Sequence, residues 1–388
     1  MKTRKQIPSD VIFDIFTSLP VKSLVRFRCI SRSCSSIITS QDFTKLHATR
    51  YSRIKSNFPL TPTIIISCST ELQSAQMFFS SELHEGSESA SAVHLRTIPP
   101  HFSRYTTHSV NGIICIDFGL CATIFNPRTR QHMDFGLCAT IFNPSNRQAV
   151  TLPSVYAPNS PAPASTIFCV NWFGFDPITE CYKVLNSWAV SGKATEYRVF
   201  TLGTNNSWRL LGDGPSYFPK RESVCIDGII YFKCHYSSVL FAFHVHTEKF
   251  HEIPLPEGIF NWRSDLIQFA GRLGLVDTQF DLQSNSINIW LLEDHLMEEW
   301  VGHTIVFPTF WKEIEGYQNF SVVGTIHTGE ILLAPRTLLK HFCVYIYDVE
   351  RGRLRRIELS GLPEYRPLDF SSNAVTVTNY EQNILSLQ

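Results

Sequence analysis

The 388-residue chain reads as a mixed but mainly all-β protein: a small helical head followed by a β-propeller-like region. Three observations predict this. Helical periodicity is confined to the first 45 or so residues. From about Thr61 onward the chain is a series of short β-branched and aromatic runs, such as TIIIS, GIICIDF, GIIYFKC and FCVYIYDV, broken by turn residues. Glycine turns between apolar runs then recur every 45–60 residues or so, the span of a four-stranded propeller blade, with a β-sandwich carrying long loops as the alternative.

The head begins at Pro8 and Ser9, ahead of an apolar face formed by Val11, Ile12, Ile15, Phe16 and Leu19, with Ser9 or Asp10 placed to cap the helix. Pro20 stops that helix. A second helix carries Leu24, Val25, Phe27 and Ile30, a third Cys34, Ile37 and Ile38, and a short fourth Phe43 and Leu46. So few apolar residues make a thin core, so the head is expected to dock on something. Residues 1–56 hold eleven basic and three acidic side chains, a surplus of eight that the remainder balances, because the chain totals 34 of each sign. An acidic protein suits such a head at least as well as nucleic acid, since no aromatic stacking ladder accompanies the charge.

In the β region, glycine turns fall at Asn111-Gly112, Asp227-Gly228, Ala270-Gly271 and Thr328-Gly329. Each is followed by an apolar strand ending in a further turn, at Phe125-Asn126-Pro127, His244–Glu248, Leu292-Glu293-Asp294 and Tyr347–Glu350, and Phe175-Asp176-Pro177 supplies another. Residues 60–388 have room for roughly six such units. One segment breaks the pattern. Asp117–Pro127 (DFGLCATIFNP) recurs identically at Asp134–Pro144, a tandem copy offset by seventeen residues. Either copy fits the strand position, and one is expected to be extruded.

Composition and motifs exclude much. At 44% hydrophobic and 18% charged residues, the chain has ample material for a core. No stretch approaches the roughly 18 apolar residues of a membrane helix, and the N-terminus has no secretory h-region. The 11 cysteines are therefore read as small buried hydrophobes in a reducing compartment, cytoplasm or nucleus. The Asp-Phe-Gly triplets at Asp117 and Asp134 lack every other kinase element. His244, His246 and His251 lie near one another in sequence but read as a strand and its turn rather than a metal site. No catalytic, cofactor-binding or metal-ligating constellation is predicted. Among the seven tryptophans packing is the default, with Trp262 and Trp311 in loop-like contexts.

The ordered series Ile7-Pro8, Val11, Ile15-Phe16, LPVKSLVRFRCISR from Leu19 to Arg32, Ile37-Ile38, Phe43 and His47 resembles a plant-type F-box. It departs at Cys34, where the family pattern usually has tryptophan, and at Asp14, where glutamate is commoner. Further along, SVNGIICI, WFGFDPITECYKVL, SVCIDGIIYF, FHVHTEKFHEIPLP, VVGTIHTGEILLAP and YIYDVERGRLRRIEL are similar to the F-box-associated domain of plant F-box proteins, a kelch-like β region. The resemblance implies an F-box over 4–50, a connector and first strands over 51–104, and a substrate-recruiting β domain over 105–375. It implies a non-catalytic subunit of an SCF-type ubiquitin ligase that binds an acidic Skp-type adaptor and, through it, cullin and RING subunits.

The adaptor-binding residues it implies are Ile7, Pro8, Val11, Ile15, Leu19, Pro20, Val21, Leu24, Phe27, Arg28, Cys29, Ser31, Cys34 and Ile37. Trp188, Tyr217, Trp262, Arg263 and Trp311, in or beside the loops around 157–164, 188–195, 212–218, 258–264 and 310–318, are the candidates for holding a protein target. No cofactor, nucleic acid or membrane partner is implied. A scaffold or decayed paralogue without ligase function, or a carbohydrate- or small-molecule-binding propeller, are the other readings.

Overall fold

The computed structural model describes the chain except residues 1–7, 41, 45, 48–60, 69–75, 99–105, 118–123, 126–131, 134–138, 154, 156–166, 191–194, 205–206, 213, 236, 260–263, 278–284, 295–298, 309–319, 327–328, 364–374 and 381–388. The head contains α1 (Ser9–Thr17), α2 (Val21–Arg28) and α3 (Arg32–Thr39), with residues 42–44 and 46–47 also helical. Proline sets the first two starts: Pro8 and Pro20 occupy the cap positions of α1 and α2. The cap expected from Ser9 or Asp10 therefore does not form, and Asp10 instead sits in the first turn, where a carboxylate faces the positive end of the helix. Ser31 caps α3 by accepting a hydrogen bond from the Cys34 N–H at 3.1 Å. Phe16, Val21, Leu24, Ile38 and Phe43 make the buried core of the head. His47 ties its last helical residues to the α1–α2 turn through Nε2 and the Leu19 carbonyl, 2.9 Å apart.

The β region is a ring of six four-stranded blades, the fifth and sixth joined through a Gln268–Gly324 pairing into one nine-stranded sheet that also takes in β3. The first blade joins β1 (Thr63–Cys68), β2 (Gln76–Glu82) and β4 (Val93–Ile98) to the last strand of the chain, β27 (Val375–Tyr380), in the order β27-β1-β2-β4. The second, ordered β10-β9-β6-β5, contains β5 (Thr106–Val110), β6 (Ile113–Asp117), β9 (Ala139–Asn143) and β10 (Gln148–Thr151). The third runs from β11 (Ile167–Asp176) through β12 (Cys181–Val190) and β13 (Glu196–Thr201) to β14 (Arg209–Leu210). In the fourth, β15 (Pro219–Ile226), β16 (Ile229–Cys234), β17 (Val239–His244) and β18 (Lys249–Pro254) follow in order.

The fifth blade holds β19 (Ser264–Phe269), β20 (Arg272–Asp277), β21 (Ser286–Asp294) and β22 (Glu299–Val306). The sixth holds β23 (Phe320–Thr325), β24 (Ile331–Pro335), β25 (Cys343–Asp348) and β26 (Arg353–Ser360). The short β3 (Ser89–Ser91) lies parallel to β26, and β7 (Ile124–Phe125) pairs with β8 (His132–Met133) in a separate two-stranded sheet. The propeller-like architecture is therefore as the sequence predicts, and the sandwich is not formed.

Residue chemistry explains the elements. Second strands are buried on both faces and are mainly apolar, as in Ile113–Asp117 and Ile229–Cys234, whose one charged residue each, Asp117 and Lys233, is buried too. Turns between first and second strands use left-handed pairs: Asn111-Gly112, Asp227-Gly228 and Ala270-Gly271 all have positive φ at both residues, the type I′ geometry that matches strand twist. Blades pack through apolar clusters; one joins the third and fourth through Trp172, Leu185, Tyr197, Phe232 and Phe241. A recurring outer clasp adds to this. Trp208 donates its indole N–H to the Pro153 carbonyl (2.7 Å), and Trp300 donates to that of Pro254 (2.9 Å), each linking a blade to the one before it.

Of the eleven cysteines, Cys68, Cys115, Cys169, Cys234 and Cys343 are buried, as small hydrophobes should be. Cys29 is exposed, and Cys34, Cys181 and Cys225 are partly so; Cys121 and Cys138 lie outside the described residues. Burial pushes the Cys68 and Cys234 thiols up to about 12, so neither is a ready thiolate.

Candidate functional site

The strand order gives the ring two unlike faces. The connections between strands one and two in blades two to six, and between strands three and four in every blade, emerge on one face. There the turns at 111–112, 144–147, 177–180, 227–228, 245–248, 270–271 and 349–352 are tight, while the link from β2 to β4, residues 83–92, is longer and carries β3. The connections between strands two and three, and from one blade to the next, run between the opposite strand ends and are mostly longer, from residues 235–238 between β16 and β17 to residues 118–138 between β6 and β9. All five loops singled out in the sequence belong to this long-loop face, although no motif unites them. The link from the head enters on the opposite side, because Thr63 at the start of β1 pairs with Tyr380 at the end of β27. With strands of about six residues, the two faces are roughly 20 Å apart.

Of the target-binding candidates, Tyr217 lies on the long-loop face, 46% exposed, its ring 6.1 Å from that of Phe241. Trp188, near the end of β12 on the same face, is buried opposite Cys169 and Glu196. Trp262, Arg263 and Trp311 fall outside the described residues; their flanking strands, β18 with β19 and β22 with β23, turn their ends to this face.

Beneath that face, three blades meet in a buried polar network that the sequence reading missed. Asp117, fully buried at the end of β6, accepts hydrogen bonds from Asn171 Nδ2 at 2.8 Å and from the Arg221 guanidinium at 2.9 Å. Asn171 in turn accepts from its cross-strand partner Asn186 at 2.9 Å. His108 on β5 meets the Ser223 hydroxyl on β15 through Nδ1 at 2.9 Å. Burial first, and the Arg221 charge second, push the His108 imidazole down to about 4, so at neutral pH it is uncharged. The network thus joins the inner edges of blades two, three and four by direct polar contact. Its one sequence signal was asparagine in otherwise apolar strands, as in Cys169-Val170-Asn171-Trp172. The three histidines near β18 make no such cluster: His246 pairs with Asp176 through Nδ1 at 3.0 Å. Among the described residues, no group of three or more His, Cys, Asp or Glu side chains could hold a metal ion.

The head offers a second candidate surface. Val11 and Ile15, one helical turn apart on α1, are 44% and 48% exposed, unlike their neighbour Phe16 at 5%. Pro8, Pro20, Cys29 and Ser31 are exposed too. Val21 and Leu24 face inward, in the core of the head, and Leu19, Phe27, Arg28, Cys34 and Ile37 are half-buried; Ile7 lies outside the described residues. Cys34 packs against that core where a larger aromatic side chain would have more to cover. Apolar side chains left exposed at helical spacing on a basic module are what docking on an acidic, partly apolar partner requires.

Two family models match the chain, one in each region. Residues 64–381 match the family model described as the F-box associated beta propeller domain, and residues 5–46 match that of the F-box domain. The chain is similar to F-box protein At5g65850 of Arabidopsis thaliana, 31% identical over 94% of this chain and 88% of that one. It is also similar to F-box protein DOR of the same plant, 28% identical over 93% and 89%. Among solved structures, TolB from Acinetobacter baumannii superposes with a TM-score of 0.45 at 9% identity, covering 90% of this chain and 73% of that one.

Proposed function

Since the chain belongs to the F-box proteins that carry an F-box-associated β-propeller domain, we propose that it is the substrate-recognition subunit of an SCF-type cullin ubiquitin ligase. In this reading the head binds a Skp-type adaptor, which connects it to cullin and RING subunits, and the long-loop face of the propeller holds a protein target. The chain itself breaks and forms no bonds. It raises the local concentration of target lysines beside a conjugating enzyme supplied by the rest of the complex. The observation that carries the reading is the placement of two unlike surfaces at opposite ends of one chain: an exposed apolar pair on a basic helical head, and a face of long loops across the ring from the head's point of attachment.

The test is binding of the full chain to a purified plant Skp-type adaptor. Replacing both Val11 and Ile15 by alanine removes apolar area only from the exposed side of α1. Each truncation is worth about 1 kcal/mol if that area is buried on binding, so affinity is expected to fall roughly 10- to 50-fold with the melting temperature unchanged. A folded chain that does not bind the adaptor at all would overturn the reading.

A further inference from the structure

The duplication seen in the sequence is, in three dimensions, the duplication of a hairpin. In the second blade, β9 and β10 pair with Ile141 opposite Val150 and Phe142 opposite Ala149. The separate β7–β8 ladder pairs Ile124 with Met133 and Phe125 with His132. Every residue of the second ladder stands seventeen positions before its counterpart in the first. The same hairpin is therefore made twice, once as the outer half of a blade and once on its own.

Strand β6 takes up β9 with Ile114 opposite Phe142, Ile116 opposite Thr140 and Asp117 opposite Ala139. All five residues of β9, Ala139–Asn143, are buried. Residues 122–126 repeat them without change, so β6 is offered the same five side chains from either copy. Only the turn and the outer strand distinguish the two. Ser145, whose hydroxyl meets that of Tyr380 at 2.6 Å, has Arg128 as its counterpart, and Thr151, bonded to Thr140 at 3.1 Å, has Asp134. These contacts favour the second copy. Chain length opposes them: with the first copy in the blade, the link from β6 would shrink from residues 118–138 to residues 118–121, and shorter loops close at lower entropic cost.

We propose that the outer half of the second blade is interchangeable, the β7–β8 hairpin being a resident spare that can displace β9–β10 from β6 in the same register. The five side chains that β6 meets are unchanged by the exchange, while Leu152 and Ala149, which pack on the core, give way to Phe135 and His132, so the blade is a two-state element with unequal states. The surface changes as well. In the state seen here the extra seventeen residues leave the middle of the second blade, as the link between its second and third strands. In the other state they fall in the link to the third blade. Both links open on the long-loop face, so exchange relocates a hairpin-sized element there; this consequence, though not the exchange itself, rests on the reading of that face as the target-binding surface.

Four variants of the full chain test it: Ile124→Asp, Ile141→Asp, the two combined, and Ile114→Asp, whose strand has no duplicate. Thermal melting is read together with hydrogen exchange on peptides anchored in the unique flanks of each copy. An aspartate at Ile141, which is fully buried, unfolds a blade that has no substitute for that strand. The expected result is that each single repeat variant melts within a few degrees of the parent. In Ile141→Asp, protection should move from residues 139–143 to residues 122–126. The double variant and Ile114→Asp should instead fall by roughly 10 °C or more. The proposal is overturned if Ile141→Asp melts as low as the double variant, if it stays folded with residues 122–126 unprotected, or if Ile124→Asp alone is as damaging as Ile114→Asp.

Discussion

His108 turns a local environment into a pH dependence with a definite sign. Its folded pKa of about 4 lies below the ordinary 6.5, so the folded state takes up a proton less readily than the unfolded chain does. The stability it allows is complete above about pH 7, declines between 6.5 and 4, and falls no further below that. The ceiling is on the order of 3 kcal/mol. His47 in the head is lowered by burial too, and adds loss in the same direction. Asp176 acts in another window. Burial would raise its carboxyl, but hydrogen bonds from Thr179, His246 and the backbone of Ile178 outweigh it and hold it near about 2, so its contribution is lost only as pH falls from 3.8 toward 2. Melting the parent and His108→Asn at pH 7.5 and 4.5 should show a larger acid-induced drop in the parent; parallel drops would exonerate His108. Glycines separate just as cleanly. Gly271 has φ +79° with open space around it, so alanine there costs only about 1 kcal/mol of backbone strain. Gly324 has φ +136°, and a Cβ would stand 2.5 Å from the Gln268 carbonyl oxygen, where the inner strands of blades five and six touch. Gly324→Ala is therefore expected to cost about 2–4 kcal/mol, measured by denaturant unfolding. Ala270-Gly271 was legible in the sequence because a turn advertises itself through its neighbours. Gly324 was not, because the oxygen that forbids a side chain there belongs to another blade.

Among the elements, those whose cause is local were the most legible. The turns at Asn111-Gly112 and Asp227-Gly228 and the proline-bounded helices of the head follow from the backbone preferences of a few adjacent residues. The identity of the strand beside β6 was not legible, since two identical segments compete and the deciding contacts, Ser145 with Tyr380 and Thr151 with Thr140, depend on residues outside the repeated segment. The Asp117–Asn171–Arg221 network was hidden for a similar reason: its members come from three blades. The duplicated hairpin also carries a stability prediction. Deleting residues 118–134 restores a single copy of the segment and shortens the link between β6 and β9 from 21 residues to four. Loop-closure entropy alone then favours the shortened chain by about 1.5 kcal/mol. Its unfolding midpoint should rise or hold; a marked fall would mean that the spare hairpin braces the ring.

For the molecule as a whole, the decisive question is how a ring of six blades is kept shut. Blades one and six meet where the two ends of the β region come together, and two devices act there. At the inner edge, β27 pairs with β1 over six residues from Thr63–Tyr380 to Cys68–Val375, so the first blade takes its innermost strand from the end of the chain. At the outer edge, β3 leaves the first blade to run parallel to β26, with Ala92 N–H donating to the Ser360 carbonyl at 2.8 Å. Gly361 permits this approach, since a Cβ there would sit 2.7 Å from the Ala92 oxygen. The inner device should dominate, because Val375 and Val377 pack into the same cluster as Ile64, Ile66, Leu332 and Ile346, whereas β3 is mostly exposed. Ending the chain after residue 374 removes Val375, Val377 and Tyr380 from the core, on the order of 5 kcal/mol of apolar burial, and leaves the inner edge of β1 unpaired. That is a large share of what a domain has to lose. The truncated chain should unfold at much lower denaturant and lose its single cooperative transition, with the first and sixth blades exchanging amide hydrogens fastest. A peptide of residues 375–388 added in trans should bind the open edge and restore protection to β1. A truncated chain that melts like the whole one would show instead that β3 and the sheet-to-sheet packing of neighbouring blades suffice to hold the ring.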